Sequence, residues 1–495
     1  MCFELFEGAS AFKNKTAIIS HGVAWSYEQI IERSHQYATQ LLGEKADLSE
    51  ARIAFMVPPG VDYVCIQWAI WIAGGIAVPI CITYPPPSIE YVLQDTEASI
   101  VIASDEFLSL LKPLCSKESN RSLHSLLEMQ NPSAFKKLPV LSLSRRAMIL
   151  YTSGTTNLPK GVVSTHQNIK AQIEMLTDAW QWINTDQTVC VLPLHHVHGI
   201  INVVCCSLRA GATCHFLPRF EAKEVLDILQ KEELTVFMAV PTIYFKLVAY
   251  LESLTEDERL DIKDKLSRKR LMVSGSAALP VSVMEKWYQL SGHKLLERYG
   301  MTEIGMAISN PYVGERKPGF VGMPLPTVSV RLVSDEGKIN TGELGEIQVK
   351  GPAVFSEYWR KPEATKESFT PDHWVKTGDT AILENGYYKI LGRTSIDIIK
   401  SGGYKISAIE IEEVIRQFDL VEDCSVVGIP NEEWGEIVGA VIVLKNSIDM
   451  IAFQKWLTER LPKYKIPRSF RFLGELPRNA MGKVTKKELI PMFLS

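Results

Sequence analysis

The feature that most constrains the fold is a series of short, uninterrupted apolar runs in the N-terminal part of the chain. The runs are Arg52–Val57, Ile76–Ile80, Ile100–Ala103, Thr188–Leu192, Thr235–Val240 and Leu271–Val273. An apolar run of this length without polar alternation is typical of a strand that is buried on both faces. Segments with helical periodicity lie between several runs, and these are Tyr27–Leu42, Ser88–Asp95 and Ala222–Glu232. The alternation of such strands with helices predicts an α/β fold with largely parallel sheets.

The pattern changes beyond about Asn310. Glycine and proline become frequent through Pro311–Pro326, and shorter strand patterns follow at Val328–Val333, Gly345–Lys350 and Tyr387–Leu391. These strands predict a small β-rich subdomain. A polar, glycine-rich stretch then leads into a last block, which holds a helical pattern at Ala408–Phe418 and strand patterns near Cys424–Gly428 and Ile437–Leu444.

The length of 495 residues is too great for one simple core, so at least two domains are expected. We place the domain boundary near Arg393–Ile396. Residues 1–393 are expected to form a large N-terminal domain, with two α/β subdomains and the β-rich subdomain. Residues 394–495 are expected to form a small α+β C-terminal domain.

Net charge and cysteine content argue against some functional classes. The formal net charge of −4 argues against a broadly basic nucleic-acid surface. The nine cysteines are odd in number and form no Cys-x-x-Cys pair. Buried reduced thiols in a cytosol-like compartment are therefore expected. The close Cys/His spacing that a metal cluster needs is absent from the sequence.

The most apolar stretch, Val64–Ile80, is a weak candidate for a membrane span. It contains Gln67 and Pro79 and is shorter than the roughly 20 residues that a spanning helix needs. A buried helix that runs into a buried strand accounts for it better. Residues 1–16 show neither an apolar signal core nor an arginine. A cytoplasmic location is therefore expected, with the mitochondrial matrix as the alternative.

A segment rich in hydroxyl residues carries the strongest chemical signal. Its candidate phosphate-binding residues are Thr152, Ser153, Gly154, Thr155, Thr156 and Lys160. Hydroxyl groups and free backbone N–H groups can wrap a polyphosphate, and the lysine adds a point charge. The loop is not a Walker A motif, because Lys160 precedes Gly161 and no serine or threonine follows. A hydroxyl-rich turn that only caps the backbone is the alternative.

This loop resembles the phosphate-binding signature of the adenylate-forming superfamily, which includes acyl-CoA synthetases, luciferases and the adenylation domains of peptide synthetases. The resemblance implies that a carboxylic acid is activated by ATP as an acyl-adenylate and then passed to coenzyme A, with Mg²⁺ as cofactor. The usual signature has glycine where this chain has Asn157. Asparagine tolerates left-handed backbone better than most residues, so the loop is expected to function.

Further motifs, in the family's order, extend the resemblance over nearly the whole chain. Thr302 and Glu303 resemble the second core motif, in which the threonine would meet the α-phosphate and the carboxylate would bind Mg²⁺. The other nucleotide-binding residues that the resemblance implies are Gly275, Ser276 and Ala277 at the adenine, Tyr299 in the core motif, and Asp379 and Arg393 at the ribose. Taken alone, each of these motifs could also be a plain turn. Glu303 taken alone could be a surface carboxylate.

Two C-terminal motifs resemble parts that the family moves between reaction steps. Lys483 matches a lysine that enters the active site, where a cation can bridge the attacking carboxylate and the α-phosphate. A solvated lysine is the alternative. The residues that resemble the loop lining the coenzyme A thiol tunnel are Gly402, Gly403, Tyr404 and Lys405. A hinge within residues 394–397 would let the C-terminal domain serve two half-reactions.

Longer segments bear on the acid that is activated. Leu192–Gly199, Phe237–Tyr244, Val273–Pro280 and Leu295–Thr302 are similar to the malonyl-CoA synthetases, a branch of this family, in their mitochondrial type. Malonate has a second carboxylate, and a buried anion needs a partner such as an arginine, which can form a two-pronged hydrogen bond. The candidate substrate-binding residues are Arg298, His196, His198, and the apolar walls Val197 and Met306.

Several alternatives stay open at this stage. Arg298 could instead form a structural ion pair with a carboxylate such as Glu297, and the histidines could be a core cluster. Methylmalonate or another small acid would need the same nucleotide motifs. A luciferase-like oxygenase shares the core motifs, and a nucleotide-binding protein without activity would be expected to lose Lys483 or Glu303. The expected partners are therefore ATP, malonate and coenzyme A, without nucleic acid.

Overall fold

The computed structural model describes residues 8–115, 120–130, 136–152, 158–340, 344–478 and 484–494. The strands are β1 (Thr16–Ser20), β2 (Val23–Ser26), β3 (Arg52–Met56), β4 (Ile76–Pro79), β5 (Ile100–Ala103), β6 (Ser122–Ser125), β7 (Arg146–Thr152), β8 (Lys160–Thr165), β9 (Gln187–Cys190), β10 (Thr213–Phe216), β11 (Val236–Ala239), β12 (Leu271–Ser274), β13 (Leu296–Met301), β14 (Gly305–Ser309), β15 (Met323–Pro324), β16 (Ser329–Val333), β17 (Ile339–Asn340), β18 (Gly345–Lys350), β19 (Glu357–Tyr358), β20 (Val375–Glu384), β21 (Tyr387–Arg393), β22 (Ile398–Ser401), β23 (Tyr404–Ser407), β24 (Val421–Asn431), β25 (Gly435–Leu444) and β26 (Ser469–Leu473).

The α-helices are α1 (Tyr27–Leu42), α2 (Val61–Ile72), α3 (Pro86–Thr96), α4 (Asp105–Leu111), α5 (Leu126–Met129), α6 (His166–Ala179), α7 (Cys206–Ala210), α8 (Ala222–Leu229), α9 (Pro241–Glu252), α10 (Glu256–Ser267), α11 (Val281–Ser291), α12 (Pro362–Ser368), α13 (Ala408–Arg416), α14 (Met450–Thr458) and α15 (Lys486–Leu489). A π-helix spans His198–Cys205, and short 3-10 turns lie at Lys112–Leu114, Lys463–Lys465 and Ile490–Phe493.

A seven-stranded, mostly parallel sheet has the order β19-β8-β7-β4-β3-β5-β6. In β3, Ile53 and Phe55 face one hydrophobic cluster, whereas Ala54 and Met56 face another. Successive residues of a strand point to opposite faces, so β3 is buried on both sides, as its uninterrupted apolar run predicts. At one edge β8 pairs antiparallel with β7 and with β19.

A nine-stranded sheet has the order β15-β14-β13-β12-β11-β9-β10-β1-β2, and the pairs from β1 through β13 in its centre are parallel. The largest hydrophobic cluster contains side chains of both large sheets and of helices α1, α2 and α6. Every residue of α2 except Asp62 is buried. The stretch Val64–Ile80 is therefore a buried helix followed by the buried strand β4, which confirms the prediction.

Two smaller sheets complete the fold. The antiparallel sheet β17-β16-β18-β20-β21 is the predicted β-rich part of the large N-terminal domain. In the small C-terminal domain the strand order is β23-β22-β25-β24, β26 also pairs with β25, and helices α13 and α14 cover one face. In β25, Ala440 and Ile442 face these helices, and Val441 and Val443 face the cluster that holds Leu489. The α/β class and the large and small domains are as predicted.

Two further expectations concern cysteines and membranes. The eight cysteines in the described ranges are free, and all of them except Cys115 are buried. This agrees with the predicted reduced thiols. Among the residues that the structure describes, no helix combines the length and the apolar character needed to cross a bilayer.

Candidate functional site

Strand β13 carries two predicted site residues whose side chains reach opposite sides of the strand. The Arg298 guanidinium reaches Ser276, and the Tyr299 hydroxyl reaches Asp379. Neighbouring residues of a strand project to opposite faces, so one short segment supplies both sides of the site. We call them the arginine side, around Arg298, and the carboxylate side, around Asp379 and Glu303.

On the arginine side, the guanidinium of Arg298 lies against the backbone that follows β12. The residue is 2% exposed. A Cβ atom at position 275 would lie 2.5 Å from Arg298 Cζ, so only glycine leaves room for the guanidinium there. Arg298 Nη2 donates to Ser276 Oγ at 3.4 Å, and Nε has no partner among the described residues.

The charge of Arg298 is not matched by a neighbouring carboxylate in the described part of the chain. The alternative of an ion pair with Glu297 is not found, because that carboxylate projects away and accepts from the backbone N–H of Leu279 at 3.0 Å. Burial lowers the pKa of Arg298 to about 9, and the nearby Glu297 opposes this effect. The guanidinium is therefore still protonated at neutral pH and keeps donors for an anionic ligand.

His198 completes the arginine side. Its Nδ1 lies 3.2 Å from Ser276 Oγ, and its Nε2 has no partner among the described residues. Burial, together with the charge of Arg298, holds the pKa of His198 well below its usual range, so the imidazole is neutral. Ser276 adopts φ 72°, a left-handed conformation that costs a residue with a side chain roughly 1–2 kcal/mol. The serine hydroxyl thereby lies between the histidine and the arginine.

The other predicted substrate residues lie close to these in the chain or on the adjacent strand. The ring of His196 contacts that of His195 with centroids 4.0 Å apart and the ring planes tilted by 53°. Val197 directly precedes the π-helix, a helix type often found at functional sites. Val197 and Met306 are 9% and 1% exposed and belong to the same hydrophobic cluster. Both are apolar residues of the interior, as a wall role requires.

On the carboxylate side, Asp379 accepts two hydrogen bonds. The Tyr299 hydroxyl donates to Oδ2 at 2.5 Å, and Arg393 Nη1 donates to Oδ1 at 3.1 Å. The partners meet because Asp379 on β20 is directly opposite Arg393 on β21. Burial raises the pKa of Asp379, while the charge of Arg393 and the Tyr299 hydrogen bond oppose the rise.

Glu303, in the turn between β13 and β14, is also buried. The Tyr358 hydroxyl donates to its Oε1 at 2.9 Å, and Lys160 Nζ lies 4.9 Å from the centre of the Tyr358 ring. Burial raises the pKa of Glu303, opposed by the Tyr358 hydrogen bond and by Arg393. Tyr358 was missed by the sequence analysis because no local pattern links it to Glu303, 55 residues away.

Only some of the remaining residues predicted to bind the nucleotide lie in the described part of the chain. Thr152 ends β7 opposite Lys160 on β8, Thr302 follows β13, and Ala277 is exposed beside Ser276. Ser153, Gly154, Thr155, Thr156, Asn157 and Lys483 lie outside the described residues.

The C-terminal glycine motif forms the turn of hairpin β22–β23. Gly402 and Gly403 have φ values of 54° and 83°, which favour glycine. Tyr404 stacks on Tyr464 with centroids 4.6 Å apart, and Lys405 pairs with Asp335 at 2.5 Å. The partners in these contacts, Tyr464 and Asp335, belong to neither the arginine side nor the carboxylate side of the site.

The donor set also allows a test for a metal ion. No group of three or more His, Cys, Asp or Glu side chains that could hold a metal occurs in the described ranges. Glu303 is a single buried carboxylate with one oxygen held by Tyr358. Such a site suits Mg²⁺, which in proteins takes one or two carboxylates and shares phosphate oxygens and water.

Comparison with known families covers most of the chain. Residues 5–359 match the family model described as AMP-binding enzyme, and residues 410–483 match the AMP-binding enzyme C-terminal domain. The chain is 41% identical to the mitochondrial malonate–CoA ligase ACSF3 of Xenopus laevis, over 99% of this chain and 92% of that protein.

Solved structures agree with the fold. The crystal structure of ATP-bound MatB from Rhodopseudomonas palustris has a TM-score of 0.91 and 32% identity, and covers 100% of this chain and 99% of that one. MenE from Bacillus subtilis, in complex with ATP and a magnesium ion, has a TM-score of 0.84 and 26% identity, over 98% of this chain and 99% of that one.

The close approach of Arg298 to Gly275 is testable by stability measurements. We expect Gly275→Ala to lower the free energy of unfolding by about 1–3 kcal/mol, because the added methyl group overlaps the guanidinium. In an Arg298→Ala background the same substitution should cost much less, since the overlapping group is gone. Denaturant unfolding of the four proteins measures this coupling.

Gly474→Ala is the matched control, because nothing lies within 4 Å of a Cβ at that position. It should leave the stability nearly unchanged. Equal costs of Gly275→Ala in both backgrounds would contradict the packing described here.

Proposed function

Because the chain belongs to the family of AMP-binding enzymes, we propose that it joins malonate to coenzyme A in an ATP-dependent reaction. A malonate carboxylate oxygen attacks the α-phosphorus of ATP, which releases pyrophosphate and leaves malonyl-adenylate. The coenzyme A thiol then attacks the acyl carbon and releases AMP. The observation that carries the choice of acid is the buried Arg298. Among the described residues its guanidinium has no carboxylate partner, and its Nε–H donor is unused.

The arginine side fits a dicarboxylate for electrostatic reasons. Arg298 would bind the carboxylate that does not react, with Ser276 and the neutral His198 fixing the orientation of the guanidinium. Val197 and Met306 would limit substitution at the malonate methylene. The similarity to proteins named malonate–CoA ligase supports the same acid. Methylmalonate, which carries one methyl group on that methylene, stays the alternative acid.

The carboxylate side fits the nucleotide. Asp379 would accept hydrogen bonds from the ribose hydroxyls, with Arg393 and Tyr299 holding its orientation. Thr152, the hydroxyl loop and Lys160 would bind the phosphates, and Thr302 the α-phosphate. Glu303, fixed by Tyr358, would hold Mg²⁺. When bound, the ion supplies positive charge that offsets the charge of the phosphate oxygens.

The C-terminal domain would contribute different groups to the two steps. Lys483 would stabilise the charge that redistributes between the carboxylate and the α-phosphate. For the second step a rotation within residues 394–397 would bring Gly402, Gly403, Tyr404 and Lys405 to the thiol path. In this structure the hairpin contacts Asp335 and Tyr464, and we infer that this arrangement precedes the rotation.

The compartment forms part of the same proposal. The vertebrate relatives at 41–43% identity are named mitochondrial. This supports the mitochondrial alternative over the cytoplasmic location that the sequence analysis favoured.

The reaction class is tested by its products. With Mg²⁺, malonate and coenzyme A, we expect ATP to yield AMP and pyrophosphate, because attack at the α-phosphorus breaks the bond to the β-phosphate. The assay should cover malonate, methylmalonate, acetate, oxalate and an aryl acid, each with and without coenzyme A. Formation of ADP and phosphate, or activity confined to a monoacid, would contradict the proposal.

The role of Arg298 is tested by substrate preference. Arg298→Ala should lower kcat/KM for malonate by roughly a hundredfold, because the second carboxylate loses a buried partner worth several kcal/mol. Activity on acetate should fall far less, since acetate has no group for the arginine to bind. The matched control is Arg331→Ala, which removes an arginine that pairs with Asp372 in the β-rich sheet. An unchanged malonate-to-acetate ratio would exclude Arg298 from the acyl pocket.

The division of labour in the C-terminal domain predicts separable defects. Lys483→Ala should abolish adenylate formation and spare thioester formation from supplied malonyl-adenylate. Gly403→Leu should do the reverse by filling the thiol path. Gly386→Leu controls for the strain of a leucine at positive φ. Gly386 has a φ of 81° and Gly403 a φ of 83°, and a Cβ atom at either position would have no neighbour within 4 Å. Loss of the same half-reaction in both variants would contradict two domain orientations.

A further inference from the structure

Residues 394–397 connect β21 of the β-rich sheet with β22 of the C-terminal sheet. They form a compact turn, in which the Asp397 backbone N–H donates to the Arg393 carbonyl oxygen at 2.7 Å. The Asp397 side chain lies over Gly392, where a Cβ would come within 2.3 Å of Asp397 Cβ. Its Oδ2 accepts from the Arg393 backbone N–H at 2.9 Å. The carboxylate is therefore fixed at the point where the chain passes between the two domains.

The second oxygen of Asp397 contacts a lysine from the far C-terminus. Lys486 Nζ lies 2.6 Å from Asp397 Oδ1 and 2.7 Å from Glu412 Oε1. The lysine side chain is 11% exposed. Burial alone would lower the pKa of Lys486, but the two carboxylates raise it. The ammonium is thus charged, buried and shared between the linker and helix α13.

The two carboxylates differ in where they belong. Glu412 is part of the C-terminal domain, and its Oε1 also accepts from the backbone N–H of Val426 at 2.8 Å. The pair of Lys486 with Glu412 is therefore internal to that domain. Asp397 belongs to the linker: its carbonyl oxygen accepts from the Ala408 backbone N–H of α13 at 2.8 Å, and its carboxylate accepts from the Arg393 backbone N–H. The contacts from Lys486 through the Asp397 carboxylate to Arg393 therefore run along the linker. Of the two pairs, the one with Asp397 is sensitive to domain orientation.

Two other ion pairs among the described residues join the large domain directly to the C-terminal domain, and both are more exposed. Lys389 lies 3.4 Å from Glu410, with 33% and 29% of the side chains exposed, and Asp335 is 72% exposed where it pairs with Lys405. Exposed ion pairs contribute little because water and salt screen them. Of these three ion pairs, the pair at the linker is therefore the least screened. The Glu413 carboxylate, which accepts from the Ser282 backbone N–H at 3.2 Å, is a further contact between the domains.

Lys486 is also close in sequence to Lys483. The Thr485 backbone N–H donates to the Pro477 carbonyl oxygen at 2.9 Å, and Val484 forms an isolated bridge with Arg478. These contacts close the base of the segment that carries Lys483, which itself lies outside the described residues. Lys486 follows this base directly, so its tie to Asp397 fixes the base of that segment relative to the linker.

We propose that Lys486 is a positioning residue for the first half-reaction: its ion pair with Asp397 holds the C-terminal domain in the orientation in which Lys483 serves adenylate formation. This inference rests on the proposed function. Thioester formation needs a different orientation, so it does not depend on this pair.

The test compares the half-reactions in Lys486→Met and Asp397→Asn. Adenylate formation, followed as malonate-dependent exchange of pyrophosphate into ATP, should fall on the order of a hundredfold, because small displacements of a catalytic group have effects of this size. Thioester formation from supplied malonyl-adenylate and coenzyme A should change by less than about threefold. Lys486→Arg, which keeps the charge, should restore most of the exchange activity.

Two control variants separate positioning from general damage. Lys487→Met removes the same charge from the exposed neighbouring lysine, and Glu412→Gln keeps the pair of Lys486 with Asp397. Both should retain exchange activity close to wild type. Asp397→Asn keeps the shape of the side chain, so it remains informative if Lys486→Met unfolds the domain, which a thermal unfolding scan detects.

An equal loss of both half-reactions in Asp397→Asn, or no loss of exchange, would overturn the inference. A wild-type protein without malonate-dependent exchange would overturn the proposed function and this inference with it. The wild-type assay therefore distinguishes the two failures.

Discussion

The main physical constraint on this structure is that positive charge buried away from water has to be stabilised. An arginine taken out of water loses hydration that must be replaced by hydrogen bonds or by an opposite charge. Arg298 receives only part of this replacement, a 3.4 Å contact to Ser276, and lies over a glycine backbone that leaves room for it. Burial lowers its pKa without removing the proton at neutral pH. The protein thereby maintains a charged group whose missing partner would be the second carboxylate of the acid.

Lys486 shows the opposite solution to the same problem. Its side chain is also largely buried, at 11% exposed, but its ammonium contacts two carboxylates at 2.6 and 2.7 Å. Because these two carboxylates already compensate the charge of Lys486, the lysine does not require an anionic ligand. It instead links two segments of the chain. The contrast explains why one buried cation suits substrate recognition and the other suits domain orientation. Exposure alone would not separate them, whereas the list of partners does.

Much of the fold was predictable from local pattern. The runs at Arg52–Val57 and Ile100–Ala103 are strands, and Tyr27–Leu42 is a helix with the predicted bounds. These predictions hold because burial on both faces of a parallel strand, or on one face of a helix, imposes a short-range pattern. Other bounds differed by a few residues; the helix predicted to Phe418 ends at Arg416 because the chain turns there into β24.

The sequence by itself determined the reaction class, ATP-dependent activation of an acid. The motifs that indicate it, such as Thr302–Glu303 and Thr152–Lys160, consist of residues that are close together in the chain. It also named Arg298 but left a pair with Glu297 open. Only the tertiary structure decided that question, because the alternation of β13 turns the two side chains to opposite sides. The tertiary structure alone also joined Tyr358 to Glu303 and Lys486 to Asp397. Such contacts join residues 55 or more positions apart through the packing of separate elements, and no local pattern encodes which distant side chains will meet.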